Sequence, residues 1–305
     1  MSEKKEQPVI IQSVWYKKIP TLLTISNSLC GFTAILWCLQ AYEKSGMWSG
    51  VTTDFSLSMI FASCAWLILG AMIFDALDGW TARKLKATSL HGIEMDSLAD
   101  MVTFGVAPAV VVAISAHINT LEGVGKGFYN ADGFFRYDRL VWLSCGIYMA
   151  CAACRLALYN VHAIEQKKDE NFSGIPSPGA AAAVCSIIIL NTNEKFELPE
   201  WVMTIFLPIY TACLGLLMIS KIPYPHMGKW LISPVKRNRK ILLLAAIIIM
   251  CVAESIRYDG PKMTATAIIT VYIFSGPIKY FYKWITGRHL ADDADLFEDS
   301  PEDTV

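Results

Sequence analysis

Charge is scarce in this chain. Asp, Glu, Lys and Arg make up 17% of its 305 residues, and the net charge is only -1. A soluble domain carries about 25% charged residues, so a surface wetted all round is excluded. The near-zero balance also gives no basic field for a phosphate backbone, and no nucleic-acid partner is expected. Histidine is rare, with five residues scattered without ligand spacing. The nine cysteines lie in or at the edges of apolar segments, which favours reduced thiols over a disulfide framework. Cys151-x2-Cys154 lacks the second pair or nearby histidine that a zinc site would need, and small sulfur side chains pack well between helices. No small-x-small site follows the first apolar stretch, so no cleavable signal is expected. No internal repeat is visible, which weighs against a transporter built from two related halves.

What the chain has instead is apolar length: 54% of residues are hydrophobic and the mean hydropathy is +0.41. Eight segments near the ~20 residues that cross a bilayer fall at 21–41, 56–79, 93–116, 139–161, 177–193, 201–220, 240–257 and 263–284. The expected fold is therefore an all-α, polytopic membrane helix bundle. Residues 1–19 form an interfacial segment ending in Trp15, Tyr16, Lys17 and Lys18; residues 20–284 form the membrane domain. Residues 285–305 form an acidic, disordered tail. An even number of spans puts both termini on one side. That side collects most of the Lys and Arg, including Arg83, Lys84, Lys86, Lys167, Lys168 and the run Lys236 to Lys240, so it is expected to be cytoplasmic. The basic run would touch anionic headgroups.

Carboxylates are rare in the apolar segments, yet four occur together in Asp75-x2-Asp78-Gly79-x2-Ala82-Arg83-x8-Gly92-x3-Asp96-x3-Asp100. Spacings of three and four place each pair on one helix face. A hairpin of the second and third spans around a loop at 80–92 would bring all four together. Converging anions repel strongly at low dielectric unless cations lie between them. Oxygen-only ligands favour Mg²⁺ or Mn²⁺. Two such ions about 4 Å apart could clamp a diphosphate. Gly79 and Gly92 would admit a ligand or a neighbouring helix closely, Arg83 suits a phosphate oxygen, and Ser89 could donate a hydrogen bond from the same loop. The pattern reads as a metal-dependent enzyme acting on a lipid-linked diphosphate. Two rivals stand beside it: a hairpin whose acids only pair with Arg83, Lys84 and Lys86, and a divalent-cation transporter using the acids as a transit site. Ionisable groups at a membrane rarely serve stability alone, and neither rival explains the spacing of the glycines and Arg83.

This run resembles the signature of the CDP-alcohol phosphatidyltransferase family, with every fixed position filled. The resemblance implies that Asp75 and Asp96 bridge two divalent cations, Mg or Mn, that Asp78 completes one shell, and that Asp100 binds the other ion and accepts the proton of the incoming alcohol. It assigns Gly79, Arg83 and Ser89 to the CDP-lipid, and adds Thr21 and Thr24 from Pro20-Thr21-Leu22-Leu23-Thr24. It also implies a homodimer. The implied reaction is in-line attack by a hydroxyl on the phosphorus bearing the lipid, with CMP leaving.

Two further stretches are similar to the phosphatidylserine synthase branch of that family: Arg155 to Asn160, and Phe172-Ser173-Gly174-Ile175-Pro176-Ser177-Pro178-Gly179. The substrates implied are CDP-diacylglycerol and L-serine, in the inner membrane if the source is bacterial. Arg155 could clamp the serine carboxylate, while Asn160, Ser173 or Ser177 orient the ammonium or carboxylate. Leu158 stands where members often carry a second arginine. Arg155 could instead only snorkel to headgroups, and Pro176 could simply start a helix. Inositol, glycerol phosphate or choline are the alternative acceptors.

Overall fold

Apolar runs that contain helix formers and lack internal breakers propagate as helices, because only then is every main-chain polar group satisfied away from water. The computed structural model describes residues 18–47, 54–85, 89–119, 131–165, 174–192, 198–222 and 262–285, with Tyr224, Met250, Cys251 and Glu254 besides. Every regular element among them is helical: α1 (Ile19–Met47), α2 (Asp54–Lys84), α3 (Leu90–Asp100), α4 (Ala107–Asn119), α5 (Ala131–Glu165), α6 (Ser177–Leu190), α7 (Leu207–Ile219) and α8 (Lys262–Ile285). Two π-helical stretches, Met101–Val106 and Val202–Phe206, run directly into α4 and α7.

Five segments are long and apolar enough to cross a membrane: Ile19–Glu43, Leu57–Lys84, Leu90–Ile118, Arg139–Val161 and Val202–Ile219. They match the expected first, second, third, fourth and sixth spans. The expected fifth is α6, an apolar helix of 14 residues, about 21 Å long and short of the ~30 Å hydrocarbon layer. The eighth is α8, 24 residues long with Pro277 inside it. The seventh, at 240–257, falls almost wholly outside the described residues.

One expected boundary is corrected. The connection anticipated at 80–92 is largely helix: α2 continues to Lys84 and α3 begins at Leu90. Thr81, Ala82, Arg83 and Lys84 include no breaker, and Arg83 and Lys84 in the last turn complement the negative end of the helix dipole. Arg83 therefore lies one turn beyond Gly79 on the same helix face.

Helices gain little from hydrophobicity when lipid is the alternative, so close packing of small side chains carries association. The buried interior follows that rule, with Ala34, Cys38 and Ala41 of α1, Cys64, Ala65 and Ala71 of α2, and Ala180, Ala181, Ala183 and Cys185 of α6. Large apolar residues such as Leu22, Leu29, Ile73, Trp142 and Leu216 point outward. α1 packs mainly on α2, α5 on α7, and α6 lies between α2 and α8.

Two glycines fix this arrangement. At Gly31 a Cβ would stand 2.6 Å from Thr103 Oγ1 and 2.7 Å from its Cα, so α1 and the π-helical stretch touch backbone to backbone. At Gly174, φ is +93° and a Cβ would overlap the Met218 carbonyl oxygen. Its N–H donates to the Ile222 carbonyl (2.8 Å) and that of Ile175 to Leu217 (3.3 Å), tying the lead into α6 to the end of α7. Gly174→Ala is expected to destabilise by an amount of order 2 kcal/mol from positive φ and overlap together. Thermal unfolding in detergent would register this as a lower midpoint, and an unchanged midpoint would contradict the tie.

Candidate active site

The site forms where α2 ends and α3 begins. Asp75 and Asp78 project from one face of α2, and Asp96 comes from α3. One carboxylate oxygen from each lies within 4.8 Å of the other two. Asp78 is buried, Asp75 and Asp96 are half-buried, and Asp96 Oδ1 is enclosed without a hydrogen-bond partner. An all-oxygen set at this separation, with an enclosed oxygen left over, fits a hard divalent cation. Zinc would be expected to recruit nitrogen or sulfur. The competing arrangement is not seen: among the described residues neither Arg83 nor Lys84 pairs with an aspartate, and Lys84 Nζ sits 4.5 Å from the Trp80 ring centre instead. Lys86 lies outside the described residues.

Asp100 is not one of the three converging groups. It closes α3, buried, immediately before the π-helical stretch, and remains within electrostatic range of Asp75, Asp78 and Asp96. Its Oδ1 accepts a 2.9 Å hydrogen bond from Nδ2 of Asn27, a fully buried side chain of α1. Asn27 is fixed in turn by Thr103, whose hydroxyl donates to the Asn27 carbonyl at 3.0 Å. The side-chain oxygen of Asn27, Oδ1, has no partner. Sequence reading passed over Asn27. The signal was present, since Thr24, Asn27 and Gly31 form a polar and small stripe at helical spacing along an otherwise apolar span, and buried polar groups in a membrane mark sites.

The other expected residues divide. Thr24 Oγ1 lies 2.9 Å from Asp78 Oδ2 and 3.0 Å from the Pro20 carbonyl, and its one proton serves either acceptor. Thr24 thus braces a carboxylate from α1, while Thr21 is exposed. Ser89 caps α3, accepting the Gly92 N–H at 3.0 Å, and keeps its own proton to donate. A Cβ at Gly79 would meet nothing nearer than Arg83 Nη1 at 3.7 Å. Packing does not require glycine there; the bare backbone beside an exposed guanidinium leaves room for a bulky anion. Among the acceptor candidates, Arg155 Nη1 donates to Ser177 Oγ at 3.3 Å, joining α5 to the first turn of α6. Asn160 accepts from Ser97 at 2.8 Å, one residue from Asp96. Ser173 lies outside the described residues.

Comparison with known proteins gives the family. Residues 17–214 match the CDP-alcohol phosphatidyltransferase family. The chain is 30% identical over 242 residues to a CDP-diacylglycerol–serine O-phosphatidyltransferase of Helicobacter pylori, covering 79% of this chain and 90% of the relative. It is 34% identical over 212 residues to the protein of that name from Bacillus subtilis, covering 69% and 92%. An archaetidylserine synthase of Methanothermobacter thermautotrophicus is 31% identical over 211 residues, covering 68% and 70%. The chain belongs to the CDP-alcohol phosphatidyltransferase family.

If the three converging carboxylates hold metal, purified protein should bind Mn²⁺ saturably in a paramagnetic-resonance titration, and Asp96→Asn or Asp75→Asn should weaken binding about tenfold or more. Equal binding by wild type and both variants would remove the cluster as the metal site.

Proposed function

We propose that this chain, an enzyme of the CDP-alcohol phosphatidyltransferase family, transfers the phosphatidyl group of CDP-diacylglycerol to the hydroxyl of L-serine, forming phosphatidylserine and releasing CMP. The observation that carries the chemistry is the division among the four acids. Three oxygens converge within 4.8 Å, while Asp100 is engaged by Asn27.

Asp75, Asp78 and Asp96 hold divalent cations, Mg²⁺ or Mn²⁺, with Asp100 as a further ligand. Bound there, such ions neutralise charge on the diphosphate and its leaving group. Gly79 and Arg83 receive the phosphates on the open face of α2, with Ser89 and Thr21 at the edge of the same region. Thr24 holds Asp78 in place. The hydroxyl of the acceptor attacks the lipid-bearing phosphorus and passes its proton to Asp100. A new P–O bond forms, the P–O bond to CMP breaks, and CMP leaves as an anion. The anhydride is already activated, so positioning and charge stabilisation supply most of the acceleration.

The acceptor reading rests on Arg155. Its guanidinium lies beside Ser177 at the start of α6, where the positive end of a helix dipole also favours an anion. A carboxylate bound there would sit beside a guanidinium that lies within electrostatic range of Asp100. The names of the relatives support the same acceptor. Residues 20–284 serve as the membrane catalytic domain, flanked by an interfacial segment at 1–19 and an acidic tail at 285–305. The excess of Lys and Arg supports both termini and the site lying on the cytoplasmic side, in the inner membrane if the source is bacterial, and the family resemblance supports a homodimer.

CMP release in vesicles should depend on L-serine; release driven equally by inositol, glycerol phosphate or choline would overturn the acceptor assignment. Asp100→Asn should lower turnover by about 10²–10⁴-fold while CDP-diacylglycerol still binds, and near-normal turnover would end its role as base. Asn27→Ala should cut kcat by roughly tenfold with little change in the CDP-diacylglycerol KM, since it removes a charge-assisted hydrogen bond from the base. A change in KM alone would contradict that role.

A further inference from the structure

The C-terminal helix α8 lies beyond residues 17–214, the part of the chain that the family accounts for. It is nevertheless built into the body. Glu254 accepts the main-chain N–H groups of Met263 and Thr264, capping its start. Lys262 Nζ donates to the Thr192 carbonyl at 3.3 Å and Thr266 Oγ1 to that of Ser186 at 3.2 Å, fastening the first turns to α6. Further along, the Tyr224 hydroxyl donates to the Ile273 carbonyl at 2.9 Å, and the Tyr224 ring sits where a Cβ on Gly276 would overlap it.

These fastenings bring one side chain of α8 to the start of α6. The Tyr272 ring stands 3.3 Å from the Cβ position of Gly179, two residues after the Ser177 that Arg155 contacts. Its other face meets Tyr224, with ring centres 5.8 Å apart. Tyr272 is half-buried and lies within electrostatic range of the Arg155 guanidinium, as does Asp100. A phenol beside a guanidinium is a second donor for an anion that the guanidinium pairs with, and a neutral one that adds no charge to be desolvated.

We propose that Tyr272 is a specificity-determining residue for the acceptor, its hydroxyl donating to the carboxylate that Arg155 pairs with. The role rests on the serine reading above. It gives α8 the function of completing the acceptor pocket from outside the family domain, and it makes the pocket read a carboxylate through two donors on different helices.

The test compares L-serine with serinol, which keeps hydroxyl and amine and lacks the carboxylate, using the full chain in vesicles with CDP-diacylglycerol and Mn²⁺. Tyr272→Phe keeps the ring against Gly179 and Tyr224 and removes only the hydroxyl. The ratio of kcat/KM for L-serine over serinol is expected to fall about tenfold or more, as for loss of a hydrogen bond to a charged group. Gly179→Ala, which crowds the ring from the α6 side, should lower the same ratio and serves if the first variant does not fold. An unchanged ratio in a folded variant, including equal losses with both acceptors, overturns the role of Tyr272 and leaves the serine reading standing. A wild-type enzyme that does not use L-serine overturns both.

Discussion

Anionic oxygens drawn together at a membrane boundary are the constraint around which the rest of this molecule is arranged. Three unit charges within about 5 Å of one another repel by roughly 3 kcal/mol per pair even at an effective dielectric constant near 20. Summed over three pairs, that is comparable to the whole stability of many domains. The fold can hold such a cluster only with cations or protons between the carboxylates and with donors aimed at them. α1 supplies the donors. Thr24 faces Asp78 and Asn27 holds Asp100, so a span that carries no ionisable residue of the signature braces two of its four acids.

The hydrogen bond from Asn27 depends on the depth at which α1 meets the third span. Gly31 permits the contact with Thr103, and the Thr103 hydroxyl returns a hydrogen bond to the Asn27 carbonyl. Thr103 lies in the π-helical stretch that follows Asp100. Such stretches break the regular i→i−4 ladder and are frequent at functional sites. Tyr148 of α5 donates to the Phe104 carbonyl at 2.9 Å within this stretch. The irregular turn is thus pinned from α1 on one side and α5 on the other, and Asp100 sits at its edge with its orientation set by both.

The pairing of carboxylates was legible in sequence because it is local: three- and four-residue spacings put Asp75 with Asp78 and Asp96 with Asp100 on single helix faces. The apolar runs gave the helices for the same reason. Legibility failed where a residue's partner lies on another helix. Thr24 and Asn160 read as ligand contacts, yet each is engaged by a protein group, Asp78 or Ser97. Asn27 was passed over because nothing in its own neighbourhood names Asp100 as its partner, 73 residues away. The segment after Gly79 was read as part of a hairpin loop, but Thr81 to Lys84 continue the helix.

The four acids are also unequal in what they face, and this bears on which of them can take a proton. Oxygens of Asp75, Asp78 and Asp96 converge, whereas Asp100, within electrostatic range of all three, also lies within that of Arg155. A base must touch the group that it deprotonates, and the acceptor must bind where a cation can hold its carboxylate. On the serine reading proposed above, Asp100 is the acid that meets both conditions. The three others, their oxygens converging, are suited to holding charge still. Asp100 is anchored by one oxygen to Asn27. On that reading, the separation of roles follows from one neutral amide on α1 bonding to a single carboxylate.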